Sequence, residues 1–447
     1  MRYWCEKAIL SGTDGPVTAD RVEIESDGGR IVRISSGVAA SPDAQVLPGV
    51  AFPAAANAHS HAFHRVLRGR THAGRGDFWL WREHMYRSAS ELTPESYEQL
   101  ATAVFAEMVV AGFSSVAEFH YVHHQPGGRP YPEPHAMELA LARAAVTADI
   151  RLTLLDTLYV AGGIGMPLSA EQARFGDVDV HAWLKRLESL RAEVASTFPP
   201  EMVSVGAALH SVRGVPEEDL AVVARELPDD LPLHIHLSEQ PAENDACVEA
   251  YGLTPAGLLA RHGLLGPKLS AVHCTHLTEA DINLLGESGT TVVMCPTTEA
   301  DLADGIGPAR VLADAGATIA LGTDQHAVID PWIEMRALEH GERLSSGQRG
   351  RFSPAELLQA ATQGAARSMA TPVAPGALHV GAVCDVVAIV PDSARTAGSR
   401  PEQLPLSATA SDVARVIIGG RLVVTNGHHH TLGEPGPLLA AAIRNFT

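Results

Sequence analysis

The stretch "NAHSHAFHRVLRGR", residues 57–70, follows directly on the apolar run "PGVAFPAAA" (48–56) and places His59, His61 and His64 within six positions. An apolar run that ends in imidazoles reads as a buried strand whose C-terminal end carries chemistry. Residues two apart in a strand point to the same side, so His59 and His61 can converge on one ion where adjacent histidines could not. Taken alone, H-x-H is also the pattern of two exposed histidines at a strand edge, and spacing by itself favours that plainer reading.

The rest of the chain changes the balance. Eight apolar, strand-like runs alternate with Ala- and Leu-rich stretches of helical period: "GVAFPAAANAHSH", "FSSVAEFHY", "IRLTLLDTLY", "VSVGAALHS", "LPLHIHLSE", "LSAVHCTH", "TVVMCPTT" and "TIALGTDQ". Such alternation is the signature of βα units, and eight of them predict an α/β fold with a closed (β/α)8 barrel of the TIM type. Most of the runs become polar at their C-terminal end, at His59 and His61, His120, Tyr159, His210, His236, His273 and Asp324. That end is the active-site face of such a barrel. Short alternating strands at both ends of the chain predict a small β-sandwich domain built from residues 1–50 and 375–447, with the barrel over 51–374. The "GHHHT" at 427–431 is expected in a solvated loop, and Arg68 and Arg70 on the surface.

Composition bounds the function. The 447 residues suffice for one large domain and a smaller one. A net charge of −19 speaks against nucleic acid or an anionic membrane as partner, since both reward clustered Lys and Arg. The five cysteines, scattered without C-x-x-C spacing, suit a reducing compartment. The opening "MRYWCEKAIL" has no apolar core of signal-peptide length, and no later run is long enough to span a bilayer. A cytoplasmic location is the expectation, and a homodimer is expected as the commonest closed assembly.

A metal is the economical reason for imidazoles on several strand ends. "HIHLSEQ", "AVHCTH" and "GTDQH" add histidines and an aspartate to H-x-H. Three imidazoles and one carboxylate suit a borderline ion such as Zn²⁺ with a position left for water, and Fe²⁺ or Mn²⁺ also accept these ligands. The only lysines are Lys7, Lys185 and Lys268, none at a barrel strand end, so a two-metal site bridged by a modified lysine is not available. One divalent ion per chain is expected.

The motifs "HSHAFHR", "FWLWREHMY", "VAEFHYVHH", "HSVRGV", "HIHLSEQ", "CPTTEADLADGIGP" and "LGTDQH" occur in order along essentially the whole chain. In these the chain resembles the amidohydrolase superfamily and, within it, the deiminase family that acts on N-formimidoyl-L-glutamate in histidine degradation. The resemblance implies His59, His61, His236 and Asp324 as metal ligands, with His236 preferred to His234 because the family pattern H-x-x-E is completed by Glu239. Glu239 has the opposite strand parity to His236 and must turn back from the loop. The resemblance further implies Glu239 as proton carrier, Asp324 as base, and His273 as support for the developing tetrahedral centre, with His276 structural. Arg82 and Arg213 match positions that would pair with the carboxylates of a small anionic amidine, and Tyr121 and His210 positions that add hydrogen bonds. His64 stands in the substrate-binding group where the family has Gln, so the side chain offered there is an imidazole.

Two alternatives have distinct marks. A deaminase of a guanidino compound or an aminated ring would share the metal set, but ring deaminases tend to a P-x-S-N segment where this chain has "PTTEAD". A metal-free binding protein on the same barrel would be expected to have lost ligands, and all are present.

Overall fold

The computed structural model describes residues 1–447 except 13–14, 72–77, 371–375, 445 and 447, and omits the side chains of residues 78 and 79. The proposed boundary at 374/375 therefore lies outside the described residues, as do the side chains of the first half of "FWLW".

Four strands come first: β1 (Arg2–Gly12), β2 (Gly15–Asp27), β3 (Arg30–Ser35) and β4 (Gln45–Pro53). The barrel strands follow as β5 (Ala55–Ser60), β6 (Phe113–His120), β7 (Arg151–Leu158), β8 (Val203–Leu209), β9 (Leu233–Leu237), β10 (Leu269–His273), β11 (Thr291–Met294) and β12 (Thr318–Leu321). The chain ends with β13 (Val386–Ile389), β14 (Val413–Ile418), β15 (Arg421–Thr425) and β16 (His428–His429).

β5 to β12 form one parallel sheet in strict chain order, and helices fill the crossovers. A parallel pair needs such a crossover, and a sheet covered on both faces explains why these strands read as unbroken apolar runs. The seam closes between β5 and the segment after β12: Ser60 bridges Asp324, and His61 N–H donates to the Asp324 carbonyl at 3.0 Å. This nearly closed eight-stranded barrel is the predicted fold.

The remaining strands make a second sheet in the order β16-β15-β14-β13-β4-β1-β2-β3, antiparallel except for the β1–β4 pair. Arg30 on β3 bridges Val383 just before β13, so the sheet curls over a core of Tyr3, Val22, Ile24, Cys384, Val386 and Ile417. Both termini contribute, as predicted. The apolar run at 49–61 contains two strands, because the chain leaves this sheet at Pro53 and enters the barrel at Ala55. Both are buried, so no change of polarity marks the passage. Arg151 on β7 and Asp385 form a buried ion pair between the two sheets.

Two expectations are corrected. His428 and His429 form β16 rather than a solvated loop, and His429 is fully buried, donating from Nε2 to the Ala148 carbonyl at 3.1 Å. Successive residues of an extended segment alternate in direction, so the middle histidine turns inward while His428 and His430 stay exposed. Arg68 is half-buried, donating to the His326 carbonyl at 2.5 Å and to Glu107 at 2.7 Å, whereas Arg70 is exposed. Among the described residues no helix is long and apolar enough to cross a membrane.

Candidate active site

Strand ends place the polar groups. His59 and His61 stand on one side at the end of β5, and His236 stands near the end of β9, four strands on in sequence and so opposite in the barrel. His236 Nε2 lies 3.2 Å from His59 Nε2 and 3.3 Å from His61 Nε2. The Asp324 Oδ1 atom lies 3.4 Å from His59 Nε2 and 3.5 Å from His61 Nε2. Ligands about 2.0–2.1 Å from a tetrahedral ion stand roughly 3.3–3.4 Å apart, so these edges fit a Zn²⁺-sized ion.

The tautomers point the same way. His61 Nδ1 donates to the Phe119 carbonyl at 2.8 Å and His236 Nδ1 to the His210 carbonyl at 2.9 Å, which leaves both Nε2 lone pairs aimed at the common point. Burial drives His59 and His236 well below the ordinary imidazole pKa, and takes His61 down to about 3 despite the nearby Asp324. Neutral imidazoles with converging lone pairs repel one another in a buried space unless a cation lies between them. The residues present therefore fit a divalent ion.

Backbone strain collects at the strand ends around the cage. Asp324, at φ +43°, His326, at φ +61°, His273, at φ +71°, and Ser238, at φ +51°, all adopt left-handed backbone, which costs non-glycine residues energy and concentrates at functional sites. Beneath the cage a buried polar chain links the two sides of the seam. Asn57 Nδ2 donates to Thr323 Oγ1 (2.7 Å), which meets His326 Nδ1 (2.9 Å). His326 Nε2 in turn lies 3.1 Å from Ser60 Oγ, whose hydroxyl donates to Glu118 at 2.5 Å.

Above the cage lies a pocket whose lining includes every ligand, catalytic and substrate-binding residue that the resemblance implies except His59, which is fully buried. Ser238 turns the chain so that Glu239 faces back into the pocket, with Oε1 3.9 Å from His273 Nε2 and Oε2 3.4 Å from Arg213. His273 also lies 3.9 Å from Asp324 Oδ2, and its Nδ1 is 3.5 Å from Glu299. Burial opposes its charge, but Glu239, Glu299 and Asp324 together raise its pKa to about 10. Tyr121 OH lies 3.1 Å from His64 Nε2, and the His64 ring packs against His61, 4.6 Å between centroids. The His210 ring packs at a tilt against Tyr159, 4.2 Å between centroids. Arg82 donates to Tyr86 OH at 2.6 Å on the pocket wall.

His234 shares the parity of His236 but sits one layer deeper, donating to the Ser368 carbonyl at 2.8 Å. His276 hydrogen-bonds the Asp304 carbonyl. The aromatic walls Trp81, Tyr86, Tyr159 and Phe175 were not singled out as site residues. Tyr159 was visible at a run's polar end, but nothing local marks Phe175, which reaches the pocket from a long loop.

A second buried group, His120, His123 and Glu138, also brings possible ligand atoms together. Here His123 Nδ1 lies 2.7 Å from Glu138, and its Nε2 lies 3.0 Å from the Arg186 guanidinium and 3.1 Å from the Thr157 carbonyl. Glu138 faces both imidazoles, and Arg186 pairs with the neighbouring Asp156, so these groups form one buried ion network.

Comparison with known proteins agrees with this geometry. The amidohydrolase family model matches residues 50–423. The chain is 34% identical to a formimidoylglutamate deiminase of Pseudomonas aeruginosa over 95% of both chains, and 29% identical to an 8-oxoguanine deaminase of the same organism over 85% of this chain and 83% of that one. A crystal structure of an amidohydrolase from Brucella melitensis superimposes with a TM-score of 0.90 at 31% identity, covering 100% of this chain and 99% of that one. With a family match spanning the whole barrel and a relative similar along almost its entire length, the chain belongs to the amidohydrolase family and is a hydrolytic enzyme acting on C–N bonds.

Proposed function

We propose that this enzyme hydrolyses N-formimidoyl-L-glutamate to N-formyl-L-glutamate and ammonia, the step its similarity to the Pseudomonas aeruginosa deiminase suggests for histidine degradation. The observation that carries the reading is the pocket's polarity: a cage for a cation at its floor, and Arg82 and Arg213 on its wall. An amidine with two carboxylates matches that layout, and arginine suits bidentate carboxylate contacts.

His59, His61, His236 and Asp324 would hold one divalent ion, with Zn²⁺ well suited to the donors. Such an ion supplies hydroxide at neutral pH by lowering the pKa of water from 15.7 to about 7. The chain's residues do the rest. Asp324 accepts the proton of the attacking water, and Glu239 delivers a proton to the departing nitrogen. His273, which faces Glu239, Glu299 and Asp324, supports the polar transition state. Tyr121, whose phenol burial keeps protonated, and His64 and His210 position the substrate. Water adds across the C=N bond, the C–N bond to the terminal nitrogen breaks, and that nitrogen leaves as ammonia.

The aromatic walls favour one competing reading, a planar ring stacked on Tyr121 or Tyr159, as an 8-oxoguanine deaminase relative would suggest. Ammonia release from a panel of N-formimidoyl-glutamate, N-formimidoyl-aspartate, guanidino acids, adenosine and 8-oxoguanine decides. Turnover of N-formimidoyl-glutamate far above the rings supports the proposal, and preference for a ring overturns it. Within the preferred substrate, Arg82→Met or Arg213→Met should lower kcat/KM by about 30-fold to several-thousand-fold, the range for losing one partner of a buried charged pair.

A further inference from the structure

Arg213 is already engaged before any substrate arrives. Its Nε atom lies 3.1 Å from Glu243 Oε2 and its Nη2 atom 3.4 Å from Glu239 Oε2, so one guanidinium faces two carboxylates. The two anions are not equivalent. Glu243 is buried, stands in the first turn of the helix Pro241–Tyr251, and receives the Ser238 N–H on its other oxygen. Glu239 sits on the short turn between β9 and that helix, beside the left-handed Ser238, with its second oxygen facing the pocket. Glu243 is the anchor and Glu239 the group free to turn.

The cation assigned to a substrate carboxylate therefore also restrains the carboxylate assigned to proton transfer. A third anion arriving at Arg213 competes with the longer of the two contacts, the 3.4 Å hydrogen bond to Glu239. We propose that docking of the substrate's carboxylate on Arg213 releases Glu239 from its ion pair and so enables proton transfer, making the carboxylate an activator of turnover and not only a handle for binding. Glu243 is the positioning residue of this device, since it keeps Arg213 in place when Glu239 departs. The chemistry is that of the proposed function, on whose assignment of Glu239 this rests: the proton that Glu239 carries ends on the leaving ammonia. Binding energy from a remote part of the substrate then appears in kcat, as it does wherever such energy is used to organise the reacting groups.

The test separates the activator from the handle by supplying the two halves of the substrate apart. Metal-loaded enzyme is assayed for ammonia release from N-formimidoyl-glutamate and from N-methylformamidine, the latter with and without sodium propionate at constant ionic strength. Propionate should raise kcat for N-methylformamidine saturably, by about ten-fold or more, without changing the products. Arg213→Met should abolish the stimulation, and Glu243→Gln should weaken it while lowering kcat for N-formimidoyl-glutamate more than it raises KM. Propionate that only inhibits, or has no effect, in wild-type enzyme that hydrolyses N-formimidoyl-glutamate overturns the activator role and leaves the functional reading standing. Failure to hydrolyse N-formimidoyl-glutamate at all, with another panel member turned over, overturns that reading and this proposal together. The wild-type measurement decides by itself should either variant fail to fold.

Discussion

Asp324 and His59 are joined twice across the barrel seam: the Asp324 N–H donates to the His59 carbonyl at 3.0 Å, and the Asp324 carboxylate lies 3.4 Å from His59 Nε2. The backbone bond that closes the barrel thus also sets the distance between two candidate ligands. Fold closure and cage geometry are one feature, and disturbing either should disturb both.

Gly322 makes that approach possible. A Cβ at this position would lie 2.7 Å from His59 Cβ and 3.0 Å from the His59 backbone N and O. Gly322→Ala should destabilise the chain by about 1–3 kcal/mol, the usual range for overpacking, and lower its metal content in parallel. Denaturant midpoints and elemental analysis read the two effects. Loss of stability with full metal retention would separate the seam from the cage.

The cage should hold about one divalent ion per chain. Chelation is expected to abolish ammonia release, and reloading with Zn²⁺ to restore it. His236→Ala should lose both metal and activity, whereas His234→Gln should retain metal, because His234 faces the Ser368 carbonyl. A reproducible stoichiometry of two with full activity would sink the single-ion assignment.

Glu239→Gln should retain metal and lose turnover by a factor on the order of 10²–10⁴, the usual contribution of a positioned acid–base group. The amide preserves size and can still face Arg213 and His273, but carries no proton. Near-normal kcat in this variant would mean that another group delivers the proton.

His64 is buried and neutral, and its Nδ1 has no hydrogen-bond partner among the described residues. His64→Gln keeps a polar group facing Tyr121 and should lower kcat/KM for N-formimidoyl-glutamate if the imidazole is matched to that substrate. A large gain instead would indicate that this chain has diverged toward another amidine.

Asp177 gives a pH signature of stability away from the cage. Burial raises its pKa to about 7; it shares the one guanidinium of Arg186 with Asp156, so that cation does not fully offset the burial. Between pH 4 and 7 the folded state then binds more protons at this site than the unfolded state, and the site's contribution to stability falls as pH rises. Asp177→Asn should remove that loss, making the stability slope over this window more positive by up to about 1.4 kcal/mol per pH unit. Urea midpoints of both proteins from pH 4.5 to 7 provide the comparison, and parallel curves would refute it.

The barrel was legible in the chain because its determinants are local. Parallel strands covered on both faces must be apolar throughout, the helices between them carry their own periodicity, and residues two apart on one strand share a side whatever the rest of the molecule does. That is why the eight runs, H-x-H and the polar strand ends could be read directly. The passage from β4 to β5 was not legible, since both strands are buried and Pro53 alone marks the change of sheet.

What only the tertiary structure decided are relationships between residues far apart in sequence. His234 and His236 have the same parity, and their difference in depth depends on where Ser368 lies. Glu239 reaches the pocket because Ser238 is left-handed, and Arg213 is shared because the first turn of Pro241–Tyr251 brings Glu243 against it. The middle histidine of "GHHHT" is buried because it meets the Ala148 carbonyl. Sequence spacing determines which side of an element a side chain takes; which partner waits there is set by the packing of separate elements against one another, and with it the charge, tautomer and reach on which the chemistry depends.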